Sequence, residues 1–332
     1  MNKFYKMMFF SMLMLSSLIT ISSYSWLMMW MGIEINLMSM IPLMMKKNNI
    51  LSSESMMKYF IIQSLASTLL MFSILIMEIN MIMFYNYQSM MMIIFQSSLI
   101  MKLGLAPFQS WLVEVMSGLT WMNCLIMLTW QKVGPMIMLM MTMKNSYLIN
   151  LTIIMSSLIS GIQGLNQISL RKIMAYSSIN HMSWMMISFM SSSWTWTIYF
   201  IVYSLSNLNL ILFLNKMNFF YINQINSMNN NKMLKMMIMM NFLSMSGLPP
   251  MIGFLPKWLT INYMIINNSM LLTFILIIST LMHIYFYIRI IIPSLTMKTK
   301  EPKIYMNQNF STSLMFMNLT FLGSLPICYV MF

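Results

Sequence analysis

The chain has 332 residues, of which 59% are hydrophobic and only 7% charged, with a formal net charge of +13. Such a composition excludes an ordinary soluble domain with a charged surface. Apolar runs of 18 or more residues recur from end to end, so the sequence predicts an all-α polytopic membrane protein with no room for a separate soluble domain.

About eleven spans are expected, at roughly 4–22, 26–45, 55–78, 88–106, 121–142, 147–165, 170–190, 194–215, 233–266, 270–292 and 311–331. Met1–Trp26 has the outline of a signal peptide, with Lys3 and Lys6 before an apolar core, but all that follows is equally membrane-like, so it is read as the first span. Glu34 falls in the middle of the second span. Glu54 and Lys58, four apart at the start of the third, form either a surface pair or a set in which Lys58 faces inward. In the fourth span the run S-L-I-M-K-L-G-L-A-P-F places Lys102 among apolar residues and then breaks the helix at Gly104 and Pro107. Residues 108–120, with Trp111, Glu114 and Gly118, follow as a short amphipathic or re-entrant helix.

Lys132 lies deep in the fifth span, and Gly134 and Pro135 just after it would loosen the local hydrogen-bond ladder and admit water. In the seventh, R-K-I-M-A-Y-S-S-I-N-H-M-S-W sets Ser177 and Ser178 four and three residues before His181, on one helical face. That histidine either passes protons through water near neutral pH or stays neutral and bonded between helices. The ninth span repeats the broken-helix device, with Gly247, Pro249, Pro250, Gly253 and Pro256 ahead of Lys257. His283 in the tenth reads as a packing or interfacial residue, and no histidine pair has metal-ligand spacing.

Each of Glu34, Lys102, Lys132 and Lys257 costs about 2.5–3.5 kcal/mol to insert, roughly 10–14 kcal/mol together before pairing. A fold keeps such groups by pairing or using them, and Glu34, the only acid deep in a span, is the natural partner of Lys102. A nearby carboxylate favours a charged lysine, whereas loss of water favours the neutral amine. Moving the partner or its proton would switch that lysine between holding and releasing a proton. The bland alternative for Lys102 and Lys257 is that both snorkel from the helix breaks to the headgroups.

The broken spans are the fourth and the ninth. A separation of five inverts the second unit relative to the first, which predicts inverted five-helix repeats at 1–142 and 143–292, then a loop and final span at 293–332. Broken backbone at membrane depth is tolerated only where buried in protein or lining a wet cavity. With eleven spans, Lys3, Lys6, Lys46, Lys47, Arg171, Lys172, Lys216, Lys232, Lys235, Arg289, Lys298, Lys300 and Lys303 gather on the side of the N-terminus. Lys144 stands nearly alone opposite, so the N-terminus is expected on the matrix or cytoplasmic side. The positive charge is therefore topological, with no basic–aromatic pattern for nucleic acid.

Cys124 and Cys328 are too few for an iron–sulfur cluster, which takes about four ligands. No G-x-G-x-x-G or Walker sequence offers a nucleotide or flavin site. The 53 Met, with 3 Ala and no Asp, fill every apolar position rather than clustering in a metal or ligand motif. This skew fits an AT-rich genome in which an isoleucine codon is read as methionine, as in animal mitochondria.

W-M-G-I-E-I-N at Trp30–Asn36, K-L-G-L-A-P-F at Lys102–Phe108 and W-Q-K-V-G-P at Trp130–Pro135 occur in order along the chain. So do G-L-N-Q-I-S-L-R-K-I-M-A-Y-S-S-I-N-H-M at Gly164–Met182 and G-L-P-P-M-I-G-F-L-P-K-W at Gly247–Trp258. On these motifs the chain resembles the subunit 2 family of mitochondrial NADH dehydrogenase (respiratory complex I), one of three antiporter-like membrane-arm families. The resemblance implies a proton-translocating core subunit of the inner mitochondrial membrane, with other membrane-arm subunits and the lipid bilayer as partners. It implies no cofactor, metal, nucleotide or redox centre in this chain, the driving force coming from quinone reduction elsewhere in the complex. Glu34 and Lys102 would form the first ion pair, Lys132 would be central, His181 would extend the relay, and Lys257 would face the next subunit. Eleven spans fit the animal form of a fourteen-span bacterial relative lacking the first three. Two positions depart from the family: Gln109 stands where His is common, removing a titratable group, and Ser246 stands where Gly is frequent. Rival functions are a free-standing cation/proton antiporter, disfavoured by the scarcity of acids to ligate Na⁺, and a structural subunit that carries no protons.

Overall fold

A computed structural model of the chain describes residues 2–46, 49–83, 88–142, 147–226, 232–249 and 251–296. The expected final span at 311–331, its preceding basic loop, Cys328, Lys47, Lys144 and Pro250 lie outside the described residues. Within them the chain is helical and divides into two compact units, Met1–Thr152 and Ile153–Phe332. The division falls inside a helix, Tyr147–Leu165, rather than in the connection before it.

The first unit contains α1 (Asn2–Ser22), α2 (Trp26–Met44), α3 (Ile50–Met83), α4 (Gln88–Leu103), α5 (Ser110–Gly118), α6 (Trp121–Leu128) and α7 (Trp130–Thr142). α1 lies along α2, α3 packs on α2, α4 and α5, and α7 packs against α1, α2, α4 and α6. Close approach uses small side chains: Cβ on Gly32 would stand 2.5 Å from Thr20 Cγ2, so α1 and α2 touch nearly backbone to backbone.

α8 (Tyr147–Leu165) leads into the second unit, which continues with α9 (Leu170–Ser191), α10 (Ser193–Met217) and α11 (Ile222–Asn226), then α12 (Lys232–Ser246), α13 (Phe254–Ile266) and α14 (Met270–Thr296). α9 is buried along almost its whole length and packs on α10, α13 and α14. Polar side chains from other helices close helix ends. Arg289 donates to the Leu165 and Gln167 carbonyls after α8, and Gln96 Nε2 donates to Thr142 O at the end of α7 (3.1 Å).

Seven stretches among the described residues are long and apolar enough to cross a membrane: 4–22, 26–44, 50–79, 121–142, 147–165, 193–217 and 270–292. The expected fourth span falls outside that set because α4 ends after 16 residues at the break, and the ninth because it is cut into α12 and α13. α9 falls outside it because Arg171, Lys172, Asn180, His181 and its serines lower its hydropathy. The fifth span, expected whole with a loosened ladder at Gly134 and Pro135, is instead interrupted at Thr129 (φ −115°, ψ −74°). Gly134 and Pro135 sit inside α7. The Pro135 ring crowds the carbonyl four residues back, at Gln131, so the disturbance lies on its N-terminal side, ahead of Lys132.

Candidate functional site

Both broken helices end by the same local rule. α4 stops at Leu103 because Gly104 takes a left-handed conformation (φ +69°). Gly104 N–H then bonds Met101 O (3.1 Å) and Leu105 N–H bonds Ile100 O (3.2 Å), the paired bonds of a glycine C-terminal cap. α12 stops at Ser246 with Gly247 at φ +76° and Gly247 N–H on Ser244 O (3.1 Å). After the first break the chain turns through Pro107 and enters α5 at Gln109, whose Oε1 is buried without a hydrogen-bond partner. After the second it re-enters at Gly253, where an added Cβ would run into the Ser244 carbonyl oxygen. Pro256 stands in the first turn of α13, where its missing N–H is not needed.

The remaining carbonyls at the two breaks are covered differently. In the first unit, Trp111 Nε1 donates to Met101 O (3.0 Å) and Gln63 Nε2 to Lys102 O (3.1 Å). Neutral donors thus close the end of α4 and leave the Lys102 ammonium free to face a carboxylate. Its Nζ lies 4.0 Å from Glu34 Oε1, an ion pair without a direct hydrogen bond. In the second unit the lysine itself is the cap: Lys257 Nζ donates to Ser246 O (2.8 Å), passing over Gly247, where only hydrogen leaves room.

Lys102, Lys132 and Lys257 are 5%, 3% and 7% exposed, so none of them snorkels. Lys102 and Lys132 line one narrow void with Asn36, Tyr59, Gln63 and Gln131. Its volume of about 20 Å³ has room for about one water. Glu34 lines a separate apolar groove of about 510 Å³ between α2 and α3, beside Trp30 and Ser67.

His181, on α9, shares a hydrogen bond with Tyr199 OH on α10 (3.1 Å) and lies against the Tyr203 ring. The bond ties α9 to α10, and a histidine so held can serve in either of the two ways its sequence suggests. Ser177 and Ser178 are buried beside it but donate to carbonyls of their own helix, Met174 O and Ala175 O. His283 is buried rather than interfacial. Its Nδ1 faces Ser279 O (2.8 Å), a pure acceptor, which puts the proton on Nδ1 and leaves Nε2 to accept from Ser160 Oγ (3.1 Å). Lys58 does not face inward; it bridges Glu54 (2.6 Å) and Glu114 (2.8 Å), tying α3 to α5 with all three side chains at least a third exposed.

Sequence reasoning did not single out Tyr59, Gln63, Gln131 or Tyr199. A readable sign existed for the first two, since Tyr59 and Gln63 are four apart in α3 and so share a face. Gln131 and Asn36 sit inside the motifs quoted above, yet nothing in their spacing shows that they meet.

Residues 23–283 match the family model described as NADH:quinone oxidoreductase/Mrp antiporter, TM. The chain is 42% identical over 301 residues to NADH-ubiquinone oxidoreductase chain 2 of Locusta migratoria, covering 90% of this chain and 88% of that one. It is 41% identical over 329 residues to the chain 2 protein of Anopheles gambiae, covering 97% and 95%. A chain of respiratory complex I from Thermus thermophilus, solved with bound aureothin, superposes with a TM-score of 0.87 at 16% identity, covering 98% of this chain and 79% of its own. That likeness shows a shared fold.

Proposed function

The chain belongs to the NADH:quinone oxidoreductase/Mrp antiporter membrane family, among the NADH-ubiquinone oxidoreductase chain 2 proteins, and on that premise we propose that it conducts protons through the membrane arm of respiratory complex I. The observation that carries the reading is the void shared by Lys102 and Lys132, with Glu34 4.0 Å from the first lysine. Lysines buried at membrane depth are costly, and two around one void have a use that a purely structural subunit lacks. A proton arriving on Glu34 removes the negative charge that faces the Lys102 ammonium, and the lysine then releases its own proton toward Lys132. His181 and Lys257 in the second unit continue the relay, and the broken helices supply the turns around which it runs.

In this reading the chain has eleven spans in two inverted five-helix repeats. It sits in the mitochondrial inner membrane with its N-terminus toward the matrix, as the basic residues favour. It works beside other membrane-arm subunits and holds no redox centre, so electrons are handled elsewhere in the complex. Lys132→Ala tests the reading: the assembled complex in liposomes should pump fewer protons per electron while NADH still reduces quinone. An unchanged ratio would return the chain to a structural role. Proton or Na⁺ exchange by the isolated chain in proteoliposomes would favour the free-standing antiporter instead.

A further inference from the structure

Lys102 Nζ has no hydrogen-bond partner, so it does not touch the Lys132 amine directly, and a proton passing from one to the other has to cross the void that both line through a water held there. The void they share has room for about one water, and three side chains from three helices form a row along it. Tyr59 on α3 donates through its hydroxyl to Gln131 Oε1 on α7 by a long bond of 3.5 Å. Gln131 Nε2 in turn donates to Asn36 Oδ1 on α2 at 2.9 Å. Tyr59 and Asn36 are 3% and 4% exposed, so both partners of the Gln131 amide are buried. Gln131 immediately precedes Lys132, and Gln63, which lines the same void, is already committed through Nε2 to the Lys102 carbonyl.

We propose that Gln131 is a positioning residue for proton passage: the Tyr59–Gln131–Asn36 row turns the Gln131 amide oxygen so that it orients the water between Lys102 and Lys132. The amide neither gains nor loses a proton. One proton leaves the Lys102 ammonium for the water oxygen as that water gives one of its own to the neutral Lys132 amine. Lys102 ends neutral, Lys132 ends charged, the water is regenerated, and the reverse step balances in the same way. This inference rests on the proton-conducting reading above.

Gln131→Leu keeps the side chain's bulk and removes both the oxygen and the donor. In the assembled complex in liposomes it should lower protons pumped per electron to the level of Lys132→Ala, with no further loss in the double variant. That ratio decides because a packing defect lowers assembly and electron transfer together without changing the coupling. If Gln131→Leu pumps like the unsubstituted complex while Lys132→Ala does not, the inference is wrong and the relay stands. If neither variant changes the ratio, the relay falls and takes the inference with it. Should Gln131→Leu fail to assemble, Tyr59→Phe decides, since it removes only the hydroxyl that steers the amide. A partial fall in the ratio supports the row, and an unchanged ratio overturns it.

Discussion

At the scale of single residues, the two breaks depend on glycines in places where no other residue fits. Gly104 and Gly247 take positive φ, which costs an L-residue about 1–2 kcal/mol. An added Cβ at Gly104 would also stand 3.0 Å from Leu112 Cβ, and one at Gly253 would collide with the Ser244 carbonyl. Gly253→Ala should therefore prevent α13 from closing against α12, and native gels should show less assembled complex. Gly134 has ordinary clearance, its nearest neighbour being Thr20 Oγ1 at 3.4 Å, so Gly134→Ala should assemble normally in the same assay. Lys257→Met should be costly for a different reason: it strips the donor from Ser246 O, and a buried carbonyl left without a partner costs about 1–3 kcal/mol. A lower midpoint in thermal unfolding of the complex checks it.

At the scale of elements, α5 is the half-helix whose placement sets the first site, and two kinds of contact hold it. The Lys58 bridge to Glu114 is at least a third exposed, and such pairs contribute about 0–1 kcal/mol. Trp111, by contrast, is 4% exposed and gives the Met101 carbonyl at the end of α4 a second donor beside Gly104 N–H, so its replacement loses a buried hydrogen bond and buried ring area together. Amide hydrogen exchange across residues 110–118 should separate them. Trp111→Phe should speed exchange there by about tenfold or more, while Lys58→Met should change it by less than about fivefold. The second unit relies on α9, whose polar groups are buried, His181 bonding Tyr199 on α10 while the serines donate to carbonyls of α9 itself. That inward polarity explains why a central helix carries a weak hydropathy signal.

At the scale of the whole molecule, Glu34 stands 4.0 Å from Lys102 and also lines the α2–α3 groove, which makes it the point where the proposed relay would meet the exterior of the first unit. Glu34→Gln removes the charge and keeps the shape, so the complex should assemble yet pump fewer protons per electron, measurable with a pH-sensitive dye in liposomes. Much of this protein was legible in its amino acids. Hydropathy marked the long helices, and Gly104, Pro107, Gly247 and Gly253 marked both breaks, because chain stiffness and left-handed turns are local properties. Burial of Lys102, Lys132 and Lys257 was legible too, because a charge inside an apolar run must be sheltered. The interruption at Thr129 was not, because Gly134 and Pro135 carried the visible signal while the disturbance fell upstream of them. Nor was the contact among Tyr59, Gln131 and Asn36, nor that between Lys58 and Glu114. Composition and periodicity determined by themselves that this chain is a bundle of membrane helices with buried charges. Only the tertiary structure decided which neutral side chains stand between those charges, because a hydrogen bond across three helices depends on how they rotate and cross, and one chain's local pattern carries no record of its neighbour's rotation.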